Sequence, residues 1–110
     1  MSSLNFFVYA PDKTEEGTFQ KRLAVREQHL VVARENIASK KIRFGGALLN
    51  EESLVSEEKK KLIGSTFVIS AVNMEEARKF VQDDIYYTTG VWDADKVVIT
   101  PFMAATGFPE

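Results

Sequence analysis

The chain has 110 residues, of which 45% are hydrophobic and 27% charged, and its formal net charge is -2 at pH 7. This length suits one domain with one hydrophobic core, and so small a charge excludes the basic surface expected of a nucleic-acid-binding protein. The absence of cysteine excludes disulfides and thiolate chemistry, and a single histidine argues against a transition-metal centre. We therefore expect no metal and no cofactor.

The sequence also argues against a membrane protein. No stretch approaches the roughly 20 apolar residues needed to span a bilayer, and the opening residues, MSSLNFFVYAPDK, lack the basic and apolar pattern of a signal peptide. A cytoplasmic location with no membrane partner is the expectation.

The chain begins with a predicted strand and a long predicted helix. Residues Leu4–Ala10 are aromatic and β-branched and are followed by a turn at Pro11-Asp12, which is typical of a strand. The next element is a helix over Phe19–Ile37 with Thr18 as its N-cap. We predict that one apolar stripe of this helix faces the core; its members are Phe19, Leu23, Leu30, Ala33 and Ile37.

The only histidine of the chain, His29, lies at the margin of that stripe. Arg26 and Arg22 precede it by one and two turns on the same flank. A half-sheltered imidazole beside two cations fits a site that accepts an anionic or enolisable ligand, because histidine exchanges protons near neutral pH. The alternative is a histidine that only packs against the core.

Two further strands follow the helix. Residues Ile42–Leu49 form a predicted strand in which Gly45-Gly46 marks a bulge, a close approach of backbone or ligand, or a simple bend. Residues Asn50–Leu62 are highly charged and predict an exposed connection. Ser65–Val72 is the strongest strand by β-branched content.

A second helix begins after Asn73, which is a suitable N-cap. Its predicted apolar stripe consists of Met74, Ala77, Phe80 and Val81. Asp83 and Asp84 stand at its end, where carboxylates oppose the helix dipole. One of them should therefore have a compensating partner, unless both are simply exposed to solvent.

The last part of the chain predicts an aromatic loop and an edge strand. Residues Ile85–Asp95 contain Tyr86 and Trp92, which either line a cavity or cover the sheet edge. Residues Lys96–Phe102 form the last predicted strand, and its Pro101 is tolerated at a sheet edge. The tail, Met103–Glu110, is expected to dock on a neighbour.

This order of elements, β-α-β-β-α-β, predicts an α+β fold of the ferredoxin-like type. Both helices then cover one face of a four-stranded antiparallel sheet, and the other face needs a separate cover. We expect that face to be apolar, with pairs such as Phe7 and Tyr9 or Phe67 and Ile69 on it. A second copy of the chain is the simplest cover, so we predict a homodimer.

Several motifs in this order resemble the YciI-like (YCII-related) family. They are KRLAVREQHL (Lys21–Leu30), the Gly-Gly strand, GSTFVI (Gly64–Ile69), EEA in the second helix, and D-x-Y-x-x-x-G-V-aromatic (Asp84–Trp92) followed by VVITPF. The resemblance implies a single-domain dimeric α+β barrel. It also implies a site built on His29 and Asp84, with Arg26 in the same motif, and some members of the family act in aromatic or chloroaromatic breakdown.

The chain departs from the family pattern at two positions. Ile85 and Glu27 stand where the family usually has proline, and the missing proline relaxes the restriction on the backbone of Asp84.

These residues predict general acid/base chemistry without a covalent intermediate. Asp84 would orient and stabilise His29, which would move a proton next to a carbonyl, as an isomerase or a dehydrochlorinase-like lyase does. Arg26, Arg22, Gly46 and Tyr86 are the predicted substrate-binding residues, with an arginine at the developing oxyanion. The alternative is a non-catalytic dimer that binds a small ligand or serves only in assembly.

Overall fold

The computed structural model describes residues 4–109; residues 1–3 and Glu110, the last residue of the predicted tail, lie outside that range. Its strands are β1 (Leu4–Pro11), β2 (Ile42–Leu49), β3 (Leu62–Ala71) and β4 (Val98–Pro101). Its helices are α1 (Thr18–Ala38), α2 (Met74–Gln82) and the short α3 (Ile85–Thr88). The strands pair antiparallel in the order β2-β3-β1-β4, which confirms the predicted ferredoxin-like fold.

The hydrophobic core lies between the helices and one face of the sheet. Alternate residues of the two central strands point into it: Phe6, Val8 and Ala10 from β1, and Phe67, Ile69 and Ala71 from β3. The side chains of a strand alternate between the two faces of a sheet, so the neighbours of these residues point away from the helices. Phe7 and Tyr9 therefore lie on the open face as predicted, whereas Phe67 and Ile69 do not.

The predicted core stripe of α1 is wrong. Leu23 and Ile37 are 49% and 57% exposed, while the buried residues of this helix are Thr18 and Arg22. Helix α1 thus meets the rest of the domain through a face that includes an arginine. The predicted N-cap is also displaced by one residue, because Gly17 occupies that position with φ 90° and Thr18 is already helical.

Strand β2 contains two irregularities, and neither is located at the glycine pair. The register with β3 shifts between Ile42 and Phe44 and again between Leu48 and Leu49. At Gly45 the predicted close approach is present, since an added Cβ would lie 2.5 Å from Cβ of Phe67. The glycine therefore allows β2 and β3 to pack closely at this point.

The remaining elements follow the predictions, except that the predicted loop Ile85–Asp95 begins with the short helix α3. The connection between β2 and β3 consists of short 3-10 turns, and the side chain of Asn73 accepts a hydrogen bond from the Glu76 amide at the start of α2. Strand β4 is shorter than predicted and lies at the sheet edge beside β1. Within residues 4–109, no helix has the length and apolar character that a membrane span requires.

Candidate active site

Asp84 links two helices and a histidine. Its backbone is extended, with φ -67° and ψ 140°, and its Oδ1 accepts a hydrogen bond of 2.9 Å from the Tyr86 amide at the start of α3. The predicted conflict with the α2 dipole is therefore wrong for Asp84, because a carboxylate is favourable at the N-terminus of the next helix. Ile85 takes the first position of α3, where proline is also common.

His29 is the partner of that carboxylate. Its Nδ1 lies 2.9 Å from Asp84 Oδ1, and the two side chains are only 17% and 16% exposed. Because Oδ1 can only accept, Nδ1 carries the proton and Nε2 is the nitrogen that remains able to take one. Asp83, in contrast, pairs with Lys79 on the surface.

Tyr86 holds the imidazole in place. Its ring stacks on His29 with centroids 3.9 Å apart and an angle of 12° between planes, and Arg22 Cζ lies 4.5 Å from its centroid. Residues seven apart on a helix are separated by about 10 Å along its axis, which fits a ring inserted between Arg22 and His29.

The Tyr86 phenol is buried, and its hydroxyl makes no hydrogen bond within residues 4–109. Burial raises the pKa of Tyr86, although the positive charges of Arg22 and Arg26 oppose this. The hydroxyl therefore remains protonated at neutral pH and can donate a hydrogen bond.

Arg22 is 3% exposed and is occupied by internal partners. Its guanidinium forms a 2.7 Å ion pair with Asp12 and donates hydrogen bonds of 3.2 Å to Gly64 O and Ser65 Oγ. Burial raises the pKa of Asp12, and Arg22 offsets part of that effect. Nε of Arg22 is buried and has no hydrogen-bond partner among residues 4–109.

The residues that hold this arginine were not predicted from the sequence. Asp12 was assigned only to a turn, and Ser65, which also accepts a hydrogen bond of 3.2 Å from Trp92 Nε1, only to a strand. An acidic residue directly after a strand was the available signal for Asp12, but its distance of ten residues from Arg22 gave no indication of contact.

One cavity of about 430 Å³ lies between α1 and β2, and the six predicted site residues, His29, Asp84, Arg26, Arg22, Gly46 and Tyr86, all line it. Much of its wall is apolar and comes from both elements and the core; this part includes Leu30, Val32, Ala33, Ile37, Phe67 and Phe80. Residues 4–109 contain no group of three histidine or acidic side chains arranged to hold a metal ion. The site thus combines a paired histidine, a phenol and guanidinium groups beside an apolar volume.

The fold and the site together define a ferredoxin-like α+β domain with a carboxylate-paired histidine beside a cavity of small-molecule size. A family model for the YCII-related domain matches residues 5–102. The chain belongs to the YCII-related domain family, as its motifs indicated.

Relatives occur in fungi and bacteria. Fusaric acid biosynthesis protein 2 of Gibberella fujikuroi is 27% identical over 99 residues, which are 90% of this chain and 92% of that protein. A protein of Haemophilus influenzae is 32% identical over 88 residues, with 78% of this chain and 85% of that protein covered. An aspartate kinase of Fusarium oxysporum f. sp. lycopersici is 28% identical over 91% of this chain, but the chain spans only 18% of that kinase.

A solved structure has the same fold. It is the 5-chloro-2-hydroxyhydroquinone dehydrochlorinase (TftG) of Burkholderia phenoliruptrix in complex with 2,5-dihydroxybenzoquinone. The TM-score is 0.77 at 22% identity, with 93% of this chain and 96% of that chain covered. At this identity the similarity establishes the shared fold.

Proposed function

We propose that this protein is a cofactor-independent enzyme that moves a proton next to a carbonyl group of a small ring-shaped substrate. The observation that carries the proposal is the 2.9 Å contact between His29 Nδ1 and Asp84 Oδ1 at the wall of a largely apolar cavity. A carboxylate in this position fixes the tautomer of the imidazole and stabilises it once it is protonated. His29 is therefore the general base, and Asp84 is its positioning residue.

The reaction begins when Nε2 of His29 removes a proton from the carbon next to the carbonyl. The electron pair of the broken C–H bond forms an enolate, whose oxygen takes the negative charge. In an elimination that pair then expels a leaving group such as halide, and in an isomerisation the imidazolium returns the proton to another carbon. Neither route needs a covalent intermediate or an oxidant.

The developing oxyanion needs donors that are not already occupied. Tyr86 supplies a neutral hydroxyl, and Arg26 supplies a guanidinium that forms no ion pair with residues 4–109. Arg22 is committed to Asp12, Gly64 and Ser65, so we assign it to positioning the Tyr86 ring. Preorganised donors of this kind stabilise a transition state in which charge moves onto oxygen.

The relatives support this choice of chemistry. The structural neighbour is named a dehydrochlorinase, and its complex holds a hydroxylated quinone, which is a small ring with carbonyl groups. A cavity of about 430 Å³ beside His29 accommodates a molecule of that class. Gly46 also lines this cavity, so we assign its backbone to the substrate-binding wall.

The test compares His29→Gln and Asp84→Asn with Asp83→Asn. Chloride release from 5-chloro-2-hydroxyhydroquinone and deuterium exchange next to the carbonyl of cyclic diketones would report elimination and proton transfer. Loss of the base should lower the rate about 100-fold or more, and loss of its carboxylate partner should lower it strongly as well. Asp83 lies next to Asp84 but faces solvent and pairs with Lys79, so Asp83→Asn should behave as the wild type.

Two results would overturn the proposal. One is a wild-type protein that binds these ring compounds without turnover, which would identify a non-catalytic ligand-binding module. The other is turnover that His29→Gln leaves unchanged. Nitrogen-15 chemical shifts of His29 provide a second readout, since Asp84→Asn should disturb the tautomer that the carboxylate fixes.

A further inference from the structure

Arg43 is a residue of the cavity wall that the proposed chemistry does not use. It lies on β2, on the other side of the cavity from the helix that supplies His29. The register with β3 passes from Ile42, paired with Ile69, to Phe44, paired with Val68, so Arg43 is the extra residue of a β-bulge. A bulge redirects a side chain, and bulges are frequent next to functional sites.

The guanidinium of Arg43 is held in place without being neutralised. Its Cζ lies 4.5 Å from the centroid of the Phe108 ring, and no carboxylate of residues 4–109 forms an ion pair with it. An aromatic face attracts a cation but accepts none of the hydrogen bonds that the guanidinium edge can donate. Arg43 is therefore a cation with free donors in the wall of the cavity beside His29, and Phe108 lines an adjoining cavity of about 420 Å³ that shares Pro109 with it.

The charges around the cavity do not balance. The wall contains three arginines and one carboxylate, Asp84, which already accepts hydrogen bonds from His29 and the Tyr86 amide. Arg22 is neutralised by Asp12, whereas Arg26 and Arg43 have no acidic partner within the described residues. An apolar space with surplus guanidinium groups is suited to an apolar body that carries an acidic group.

We propose that the substrate is an anionic ring compound of the aromatic carboxylate class and that Arg43 is the specificity-determining residue that binds its acidic group. Phe108 positions Arg43, and the apolar wall contacts the ring. This inference rests on the proposed function, because it takes the cavity beside His29 as the substrate site.

The test uses benzoate and its neutral amide, benzamide, as probes. Their binding to the full chain is measured by NMR titration, which needs no turnover. Benzoate should bind about tenfold more tightly than benzamide, as expected for one charge-assisted contact to a carboxylate. Arg43→Gln should remove this preference while benzamide affinity stays within about twofold of the wild type.

Two further variants complete the design. Arg34→Gln removes the same charge from an exposed position on α1 that does not line the cavity, so it should retain the preference for benzoate. Phe108→Leu keeps an apolar side chain but removes the aromatic face under Arg43, and it should weaken benzoate binding about threefold. Thermal melting of each variant verifies that it is folded.

Equal affinity of the wild type for the two probes, or failure to bind either, would overturn the inference. An Arg43→Gln variant that keeps the full preference for benzoate would also overturn it. The proposed catalytic function fails separately, when the wild type discriminates between the probes but His29→Gln changes no reaction rate.

Discussion

At the scale of single residues, Asp84 combines a structural task with an electrostatic one. Its Oδ1 caps the N-terminus of α3 through the Tyr86 amide and also accepts from His29 Nδ1, both at 2.9 Å. The cap fixes the carboxylate before any substrate binds, so the His29–Asp84 pair is preorganised. The position of the imidazole therefore depends on a turn of the backbone as much as on the pair itself.

The stack of Arg22, Tyr86 and His29 extends this support into the core. Arg22 and Asp12 are only 3% and 6% exposed. The cost of removing such a buried ion pair from water can exceed the energy gained from its attraction. Its presence is explained by what it positions, since the guanidinium contacts the Tyr86 ring on which His29 stacks.

Tyr86→Phe tests the role of the phenol. The variant keeps the stack and removes only the hydroxyl, so turnover should fall about tenfold to 100-fold while the free energy of unfolding at pH 7 changes by less than about 1 kcal/mol. Tyr9→Phe, which removes a hydroxyl from the open sheet face, is the matched control and should retain full activity. Equal rates for wild type and Tyr86→Phe would exclude the hydroxyl from the reaction.

A comparison of the wild type with Tyr86→Phe also tests how stability depends on pH. Burial raises the pKa of Tyr86 above its unfolded value of about 10, so the folded state resists ionisation that the unfolded state undergoes. The contribution to stability is fully present below pH 10 and is lost as the pH rises through the folded pKa. Between about pH 9 and pH 11, the free energy of unfolding measured with urea should fall more steeply for the wild type than for Tyr86→Phe.

At the scale of secondary-structure elements, the sequence predicted the strands and helices much better than the face of α1. Alternation in β1 and the Asn73 cap are local signals, and both led to correct elements. The face of a helix is decided by its neighbours: Arg22 is buried because Asp12 and Ser65, distant in sequence, provide its hydrogen bonds. Apolar spacing alone therefore selected Leu23 and Ile37, which the fold leaves exposed.

Only part of the candidate site was predictable from the sequence. The family motif placed His29 and Asp84, and the structure brings them into contact. Arg43 could not be found in this way, because its orientation depends on a register shift between β2 and β3 that no periodic pattern encodes.

Gly45→Ala tests the packing of β2 on β3. The new Cβ would lie 2.5 Å from Phe67 Cβ and 2.9 Å from Thr66 O, and neither atom can move without shifting the strand. We expect a loss of about 2 kcal/mol in the free energy of unfolding, measured by urea denaturation. Gly46→Ala is the matched control, because its Cβ meets no atom within 4 Å, and it should cost less than about 1 kcal/mol. Equal stability of the two variants would contradict the close approach at Gly45.

At the scale of the whole molecule, the sheet has one face covered by the helices and one that residues 4–109 cover only in part. The helices cover the face that carries Phe6 and Val8. On the other face, Tyr9 of β1, Phe44 of β2 and Val98 of β4 are 41%, 60% and 48% exposed. Phe102 packs beside Phe7, and Val68, which points to the same face from β3, is only 5% exposed next to the C-terminal residues. Exposed apolar side chains grouped on one face of a sheet often mark a site of association.

We propose that a second copy covers this face and makes the protein a homodimer, because an isologous contact joins the same apolar patch on both copies. Val98→Lys places a charge on the open face and should weaken association at least tenfold, as measured by sedimentation velocity over a range of protein concentrations. Val31→Lys is a closely matched control, since Val31 is also 48% exposed but lies on α1. It should sediment as the wild type. A wild type that is monomeric at micromolar concentration would exclude the homodimer. Equal association of the two variants would mean that the contact does not involve this face.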